Sequence, residues 1–160
     1  MTAEQRVVAL LEKCRKQGVK IATAESCTGG MLAALITSVP GSSDVFDCGF
    51  VTYSNEAKKR MLHVSHEVIA DHGAVSRECS LAMAHGAILE STATFAVSIT
   101  GIAGPGGGTA AKPVGLVHLA CARRNGPTLH REERFGDIGR DAVRVASVEV
   151  ALELLESQVL

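Results

Sequence analysis

Short apolar runs typical of strands alternate with helical patterns along almost all of this 160-residue chain. Five runs are predicted as strands, at residues 20–24, 46–53, 95–100, 114–122 and 128–135. Helical spacing, capping residues and glycine stops predict helices at residues 3–16, 31–38, 55–63, 66–73, 76–90 and 141–160. This alternation predicts an α/β fold, in which helices cover a sheet.

The two last strands have the pattern of a hairpin, because only the Asn125-Gly126-Pro127 turn separates them. A hairpin within an α/β alternation predicts a mixed, mostly parallel sheet of about five strands in a three-layer α/β/α sandwich. Aromatic residues make up only 3% of the chain, so the core is expected to consist of aliphatic side chains. No repeat or linker divides the sequence, and residues 1–160 are predicted to form a single domain.

Charge and hydropathy argue against nucleic-acid and membrane partners. Sixteen Lys and Arg against 17 Asp and Glu leave a net charge of -1, which creates no field that attracts a polyanion. No apolar run approaches the ~20 residues that span a bilayer, so we expect a cytoplasmic protein. The five cysteines are odd in number and widely spaced, which favours reduced, mostly buried thiols and no metal site.

The first candidate for chemistry is the turn at residues 25–30, between the first strand and its helix. A serine at this carboxyl edge of a sheet has backbone N–H groups and glycines beside it, and these can stabilise an oxyanion. Ser26 is therefore a candidate nucleophile, with Cys27 as a variant of the same chemistry. The alternative interpretation is that Ser26 or Thr28 only caps the helix.

The second candidate is the segment at residues 53–58, which also follows a strand. A serine nucleophile needs a base, and a desolvated lysine whose pKa is lowered toward ~7 to 8 can serve. Lys58 is the candidate base, and a reaction that depends on it should slow as the pH falls and the amine protonates. A solvated surface lysine is the alternative. Ser54, four residues before Lys58, is a rival nucleophile, but the glycines beside Ser26 favour Ser26.

The third and fourth candidates could recognise an anion. Residues 100–109 form a glycine-rich loop after a strand, and successive N–H groups in such a loop can bind phosphate or carboxylate. The loop lacks the Lys-Ser or Lys-Thr of a Walker A motif, and a mobile lid is the alternative. Arg140, just before the last helix, could pair with a phosphate or be an ordinary surface group.

Four motifs in this order resemble the C-terminal domain of the competence- and damage-inducible protein CinA. They are T-A-E-S-C-T-G-G at 23–30, G-F-V-T-Y-S-N-E-A-K at 49–58, H-G-A-V-S at 72–76, and T-G-I-A-G-P-G-G-G-T at 100–109 followed by K-P-V-G at 112–115. The resemblance spans nearly the whole chain. Longer members carry a pyrophosphatase module as well, and we expect that activity to be absent here.

The resemblance implies a serine amidase without metal or cofactor. Its small-molecule substrate would be nicotinamide mononucleotide, which it would convert to nicotinic acid mononucleotide and ammonia in the salvage of pyridine nucleotides for NAD metabolism. By motif position, Ser26 is the implied nucleophile, Lys58 its base and Tyr53 a supporting hydroxyl. The implied substrate-binding residues are Thr28, Gly29 and Gly30, which line the site, and Gly101, Gly104, Gly106, Gly107, Gly108 and Arg140 on the phosphate side.

A different class of function stays open at this stage. The same pocket in a non-catalytic regulatory module would bind a pyridine nucleotide without turnover. The alanine-rich helices and aliphatic surface favour a homo-oligomer, although they do not fix the number of subunits.

Overall fold

The computed structural model describes residues 1–159 and has one five-stranded sheet with six α-helices. The strands are β1 (Ile21–Glu25), β2 (Phe46–Val51), β3 (Phe95–Gly101), β4 (Leu116–Arg123) and β5 (Thr128–Arg134). The helices are α1 (Ala3–Gln17), α2 (Met31–Thr37), α3 (Asn55–Leu62), α4 (His66–His72), α5 (Arg77–Leu89) and α6 (Arg140–Gln158). Every predicted strand and helix is present, with small shifts at the ends. The predicted helix end at residue 160 lies outside the described residues.

The sheet is mixed, as predicted. Its strand order is β2-β1-β3-β4-β5. β1 pairs in parallel with β2 and β3, whereas β4 is antiparallel to both β3 and β5. Four strands therefore run in one direction and β4 runs against them, because a tight turn joins β4 to β5 as a hairpin.

Helices cover both faces of the sheet and complete the predicted three layers. α1, α2 and α6 pack on one face, against large strand side chains such as Ile21, Val97 and Leu119. α3, α4 and α5 pack on the other face, against small ones such as Ala22 and Ala96. Successive strand residues point to opposite faces, so the alternation of large and small residues along the strands gives the two faces different packing surfaces. No helix within residues 1–159 has the length and apolar character needed to cross a membrane.

The chain leaves β1 and β2 toward opposite faces of the sheet. α2 follows β1 on the first face, and α3 follows β2 on the second. Adjacent parallel strands whose connections diverge in this way leave a crevice at their carboxyl ends, which is where open α/β sheets bind ligands. The segments that begin with Ser26 and Thr52 border this crevice.

The position of α3 depends on close packing against α5. A Cβ atom added at Gly86, in the last turn of α5, would lie 1.9 Å from the carbonyl oxygen of Leu62. Only glycine permits this approach of the two helices. Since α3 carries Lys58, the contact also helps to set the position of that lysine.

We expect Gly86→Ala to destabilise the protein, although alanine has the higher helix propensity. The added methyl group must push the backbone of Leu62 away, and overpacking of this kind costs roughly 1–3 kcal/mol. Urea denaturation measures the loss. The control is Leu89→Ala on the same helix, which removes a side chain that is 72% exposed and should change the free energy of unfolding by less than about 0.5 kcal/mol. Equal stability of Gly86→Ala and wild type would show that the contact is not tight.

Candidate active site

Ser26 follows β1 directly and does not cap α2. Its N–H group donates to the carbonyl oxygen of Ile99 at 2.9 Å, which ties the turn to β3. The first turn of α2 is capped instead by the carboxylate of Glu25, which accepts from the N–H groups of Leu32 at 3.0 Å and Ala33 at 3.1 Å. The capping interpretation of Ser26 is therefore wrong, and its hydroxyl is left for another partner.

Glu25 is a completely buried acid that organises the turn. Besides the two helix N–H groups, it accepts from the Thr28 hydroxyl at 2.6 Å. A buried carboxylate is tolerated when several donors replace its water, and the N-terminus of a helix adds a favourable dipole. The helix end thus receives its negative cap from the strand that precedes the turn.

Lys58 reaches the Ser26 turn from the first turn of α3. Its side chain is 1% exposed, and its Nζ lies 2.9 Å from Ser26 Oγ. The Nζ also donates to the carbonyl oxygens of Thr52 at 2.8 Å and Tyr53 at 3.4 Å. The structure thus brings together the predicted serine and lysine, which are 32 residues apart in sequence.

The burial of Lys58 makes its ammonium form less favourable than it would be in water. Burial lowers the pKa of Lys58 below the ordinary lysine value, because a low-dielectric site disfavours the ammonium form. None of the ion pairs among residues 1–159 includes this lysine. A neutral amine has two N–H bonds and one lone pair. When the N–H bonds donate to the carbonyls of Thr52 and Tyr53, the lone pair is left for the Ser26 hydroxyl.

The rival nucleophiles have other environments. Ser54 is the N-cap of α3, and its hydroxyl accepts from the N–H group of Ala57 at 3.0 Å. Cys27 is 6% exposed, and burial raises the pKa of its thiol to about 11. A thiol with that pKa is almost entirely protonated at neutral pH, whereas the thiolate is the reactive form. The geometry therefore favours Ser26.

A cavity of about 280 Å³ opens beside Ser26 and Lys58. It lies at the carboxyl ends of β1, β2 and β3, and the glycine-rich loop forms one wall. Of the predicted site residues, the cavity lining includes Ser26, Lys58, Tyr53, Gly101, Gly104, Gly106, Gly107 and Arg140. Within residues 1–159, no group of three or more His, Cys, Asp and Glu side chains could hold a metal ion.

Tyr53 and Arg140 form the outer part of the lining. The Tyr53 side chain is 62% exposed, and its hydroxyl accepts from Arg140 Nη2 at 3.0 Å. Arg140 Nη1 donates to the carbonyl oxygen of Gly104 at 2.8 Å. The Tyr53 hydroxyl therefore contacts Arg140 and not Ser26 or Lys58, so the predicted support of the serine by this hydroxyl is not present in this arrangement.

Three predicted binding residues beside Ser26 do not line the cavity. Thr28 is completely buried and bound to Glu25. Gly29 and Gly30 have φ of 58° and 103°, and Gly30 is the N-cap residue of α2. The resemblance implies that all three line the site, and this is wrong for the cavity: the Thr28 side chain and the two glycines shape the turn, and other residues form the lining.

Gly108 also lies outside this cavity. It lines a second one of about 600 Å³ on the other side of the loop, where Arg134 and Asp137 are among its neighbours. The glycine-rich loop is thus a partition, with Gly106 and Gly107 lining both cavities. The sequence alone does not show which residues of the loop lie on which side.

The cavity contains residues that the sequence analysis did not assign to the site. Thr100 at the end of β3 donates through its hydroxyl to the carbonyl oxygen of Ala74 at 2.9 Å. This bond joins the strand end to the 72–76 segment, from which Ala74 and Val75 line the cavity. Asn55, the first residue of α3, also lines the cavity. All four residues belong to the motifs quoted above, and this membership is the one feature of the sequence that could have assigned them to the site.

Comparisons with known proteins identify the family of this chain. Residues 3–159 match the CinA C-terminal domain family. The nicotinamide-nucleotide amidohydrolase PncC of Escherichia coli K12 is 50% identical over 147 residues, which cover 91% of this chain and 88% of that protein. A CinA-like protein of Geobacter sp. strain M21 is 51% identical over 157 residues, and the chain spans only 37% of its length.

Solved structures of the same family have the same fold. The competence/damage inducible protein CihA from Agrobacterium tumefaciens is 54% identical, with a TM-score of 0.95 over 97% of this chain and 94% of that chain. A CinA superfamily protein from Klebsiella pneumoniae is 33% identical, with a TM-score of 0.93 over 99% and 98% of the two chains.

The buried amine predicts a pH dependence of stability for Lys58→Met. Since the pKa of Lys58 is lower in the folded protein than the ~10.4 of an exposed lysine, the unfolded state binds more protons between the two values. Wild-type stability therefore rises with pH across that window. The free energy of unfolding of Lys58→Met minus that of the wild type should therefore have its highest value below the pKa of Lys58 in the folded protein. This difference should fall as the pH rises through the window.

Urea denaturation at about pH 6 and about pH 9 measures this difference. Lys59→Met on the same helix is the control, because Lys59 pairs with Glu56 near the surface and should show little change between the two pH values. A pH-independent difference for Lys58→Met would mean that the buried amine titrates like an exposed one.

Proposed function

The chain belongs to the CinA C-terminal domain family, and we propose that it is an amidohydrolase that converts nicotinamide mononucleotide to nicotinic acid mononucleotide and ammonia. The observation that carries the proposal is the 2.9 Å contact between Lys58 Nζ and Ser26 Oγ beside the cavity. The similarity to the PncC amidohydrolase of E. coli, at 50% identity, supports the reaction and the substrate.

The proposed chemistry has two stages. The neutral amine of Lys58 takes the proton of the Ser26 hydroxyl while Oγ attacks the carboxamide carbon, which gives a tetrahedral intermediate. The resulting ammonium returns the proton to the amide nitrogen, so the C–N bond breaks, ammonia leaves and a serine ester remains. Lys58 then deprotonates a water molecule that attacks the ester, and the carboxylate product is released with Ser26 regenerated.

Oxyanion stabilisation is proposed to come from the residues after Ser26. The N–H group of Ser26 itself donates to Ile99, and that of Gly29 donates to the carbonyl of Ser26. The N–H groups of Cys27 and Thr28 have no backbone acceptor within residues 1–159. These two groups are therefore the candidates to bind the oxygen of the tetrahedral intermediate, a type of interaction that lowers the barrier substantially.

The outer part of the cavity suits the phosphate of the substrate. Arg140 uses two of its five N–H donors on Tyr53 and Gly104, which leaves others for phosphate oxygens. Gly104, Gly106 and Gly107 add backbone at the same wall. No Asp or Glu of the described chain lines the cavity, so an anionic group meets no repulsion from a carboxylate there.

A non-catalytic nucleotide-binding module would use the same cavity and remains the alternative. The proposed serine–lysine pair argues against it, because binding alone does not require a buried amine beside a hydroxyl. The single-domain organisation, the homo-oligomer and the cytoplasmic location stay predictions from the sequence.

The proposal predicts that Ser26→Ala abolishes ammonia release from nicotinamide mononucleotide. Removing a nucleophile of this kind lowers kcat by at least about 10³-fold. Cys27→Ala is the matched control at the next position and should retain most of the activity, since burial raises the pKa of its thiol to about 11 and the thiolate is the reactive form. Ammonia is measured under steady-state conditions with both variants and the wild type.

Two outcomes would contradict the proposal. Wild-type turnover by Ser26→Ala would exclude Ser26 as the nucleophile. Binding of nicotinamide mononucleotide by the wild type in calorimetry, without ammonia release at any substrate concentration, would identify the non-catalytic module.

A further inference from the structure

Arg144 contacts the backbone of the Ser26 turn through the two residues that follow the serine. It lies in the second turn of α6, is half-buried, and donates from Nε to the carbonyl oxygen of Cys27 at 3.1 Å and from Nη2 to that of Thr28 at 3.3 Å. Arg144 does not line the cavity, and no ion pair among residues 1–159 includes it. Its guanidinium is therefore committed to the backbone that follows the serine.

These two bonds fix the direction of the next N–H groups. In a planar trans peptide, the carbonyl and the following N–H point in opposite directions. Holding the Cys27 carbonyl therefore orients the N–H group of Thr28, and holding the Thr28 carbonyl orients that of Gly29. The positive charge of Arg144 also polarises both peptide groups, which strengthens their N–H donors.

The Cys27 carbonyl depends on Arg144 more than the Thr28 carbonyl does. Three hydrogen bonds hold Thr28. Its hydroxyl donates to Glu25, and its carbonyl oxygen accepts from Arg144 and from the N–H group of Met31 at 3.0 Å. For the Cys27 carbonyl, Arg144 is the one hydrogen-bond donor recorded within residues 1–159. Loss of Arg144 would thus free the peptide group between Cys27 and Thr28, which carries a candidate oxyanion donor.

We infer that Arg144 is a positioning residue for the Ser26 turn, which orients the Cys27–Thr28 peptide for the reaction at Ser26. The inference rests on the proposed function, because it assumes that Ser26 is the nucleophile. It assigns a role to a side chain outside the cavity. Its loss should therefore lower kcat and leave KM nearly unchanged.

The reactivity of Ser26 can be measured without the natural substrate. A small alkyl fluorophosphonate reacts with an activated serine, and its phosphoryl oxygen needs the same donors as the oxyanion. We expect Arg144→Ala to lower the second-order rate of Ser26 labelling, read by mass spectrometry, on the order of tenfold to a hundredfold. Arg144→Lys keeps the charge but not the two-pronged contact, so its rate should be intermediate.

Arg124→Ala is the matched control. The guanidinium of Arg124 also donates to backbone carbonyls, those of Ile88, Ser91 and Ala93, but at the opposite edge of the sheet. Its replacement should lower thermal stability and leave the labelling rate within about twofold of wild type, as distant independent sites do. Circular dichroism establishes that each variant is folded at the assay temperature, and if Arg144→Ala is not, Arg144→Lys carries the comparison.

The outcomes are distinguishable. Folded Arg144 variants that label at the wild-type rate would overturn the inference, and so would a rise in KM for nicotinamide mononucleotide with unchanged kcat, which would make Arg144 a substrate-binding residue. A wild type that is not labelled at Ser26 would overturn the proposed function itself, and the inference would fall with it.

Discussion

A buried lysine amine beside a serine hydroxyl is the interaction on which the rest of this structure depends. The Lys58 side chain is 1% exposed, and an ammonium ion at such a position without an acidic partner is costly. When the amine is neutral, the carbonyls of Thr52 and Tyr53 can accept both of its N–H bonds, and its lone pair is then left for the Ser26 hydroxyl. Burial thus lowers the pKa of Lys58, which is the direction that the proposed role of this lysine as a general base requires.

The two halves of this contact are held by different parts of the molecule. α3 carries the lysine, and its approach to α5 is possible because Gly86 has no side chain. The serine lies on the turn after β1, which Glu25 holds from within and Arg144 from α6. Glu25 and Arg144 therefore hold the same turn through separate hydrogen bonds. The divergence of the chain after β1 and β2 leaves the space between them open as a cavity.

Much of this arrangement could be predicted from the sequence. The strands and helices have clear apolar periodicity, and the hairpin follows from the short Asn125-Gly126-Pro127 turn. Ser26 and Lys58 could be named as nucleophile and base because each lies in a segment between a strand and a helix, because a serine nucleophile needs a base, and because both fall in motifs that resemble those of the family. These signals are local or follow from general rules of topology.

Other features could not be predicted because they depend on long-range contacts without a periodic signature. Thr28 was expected to line the site, but its hydroxyl is bound to the buried Glu25. The Tyr53 hydroxyl contacts Arg140, 87 residues away in sequence. Arg144 binds carbonyl groups 117 and 116 residues away, and a backbone acceptor leaves no trace in the residue types.

The central claim concerns the charge of one side chain, so it can be tested by titrating that side chain directly. Protein labelled with ¹³C at the lysine Cε would be titrated by NMR, and the Lys58 resonance identified by its absence from Lys58→Met. We expect this resonance to titrate at a pH clearly below that of the exposed lysines. A Lys58 resonance that titrates with the exposed lysines, or above them, would contradict the account, because the amine would then be protonated when the serine has to lose its proton.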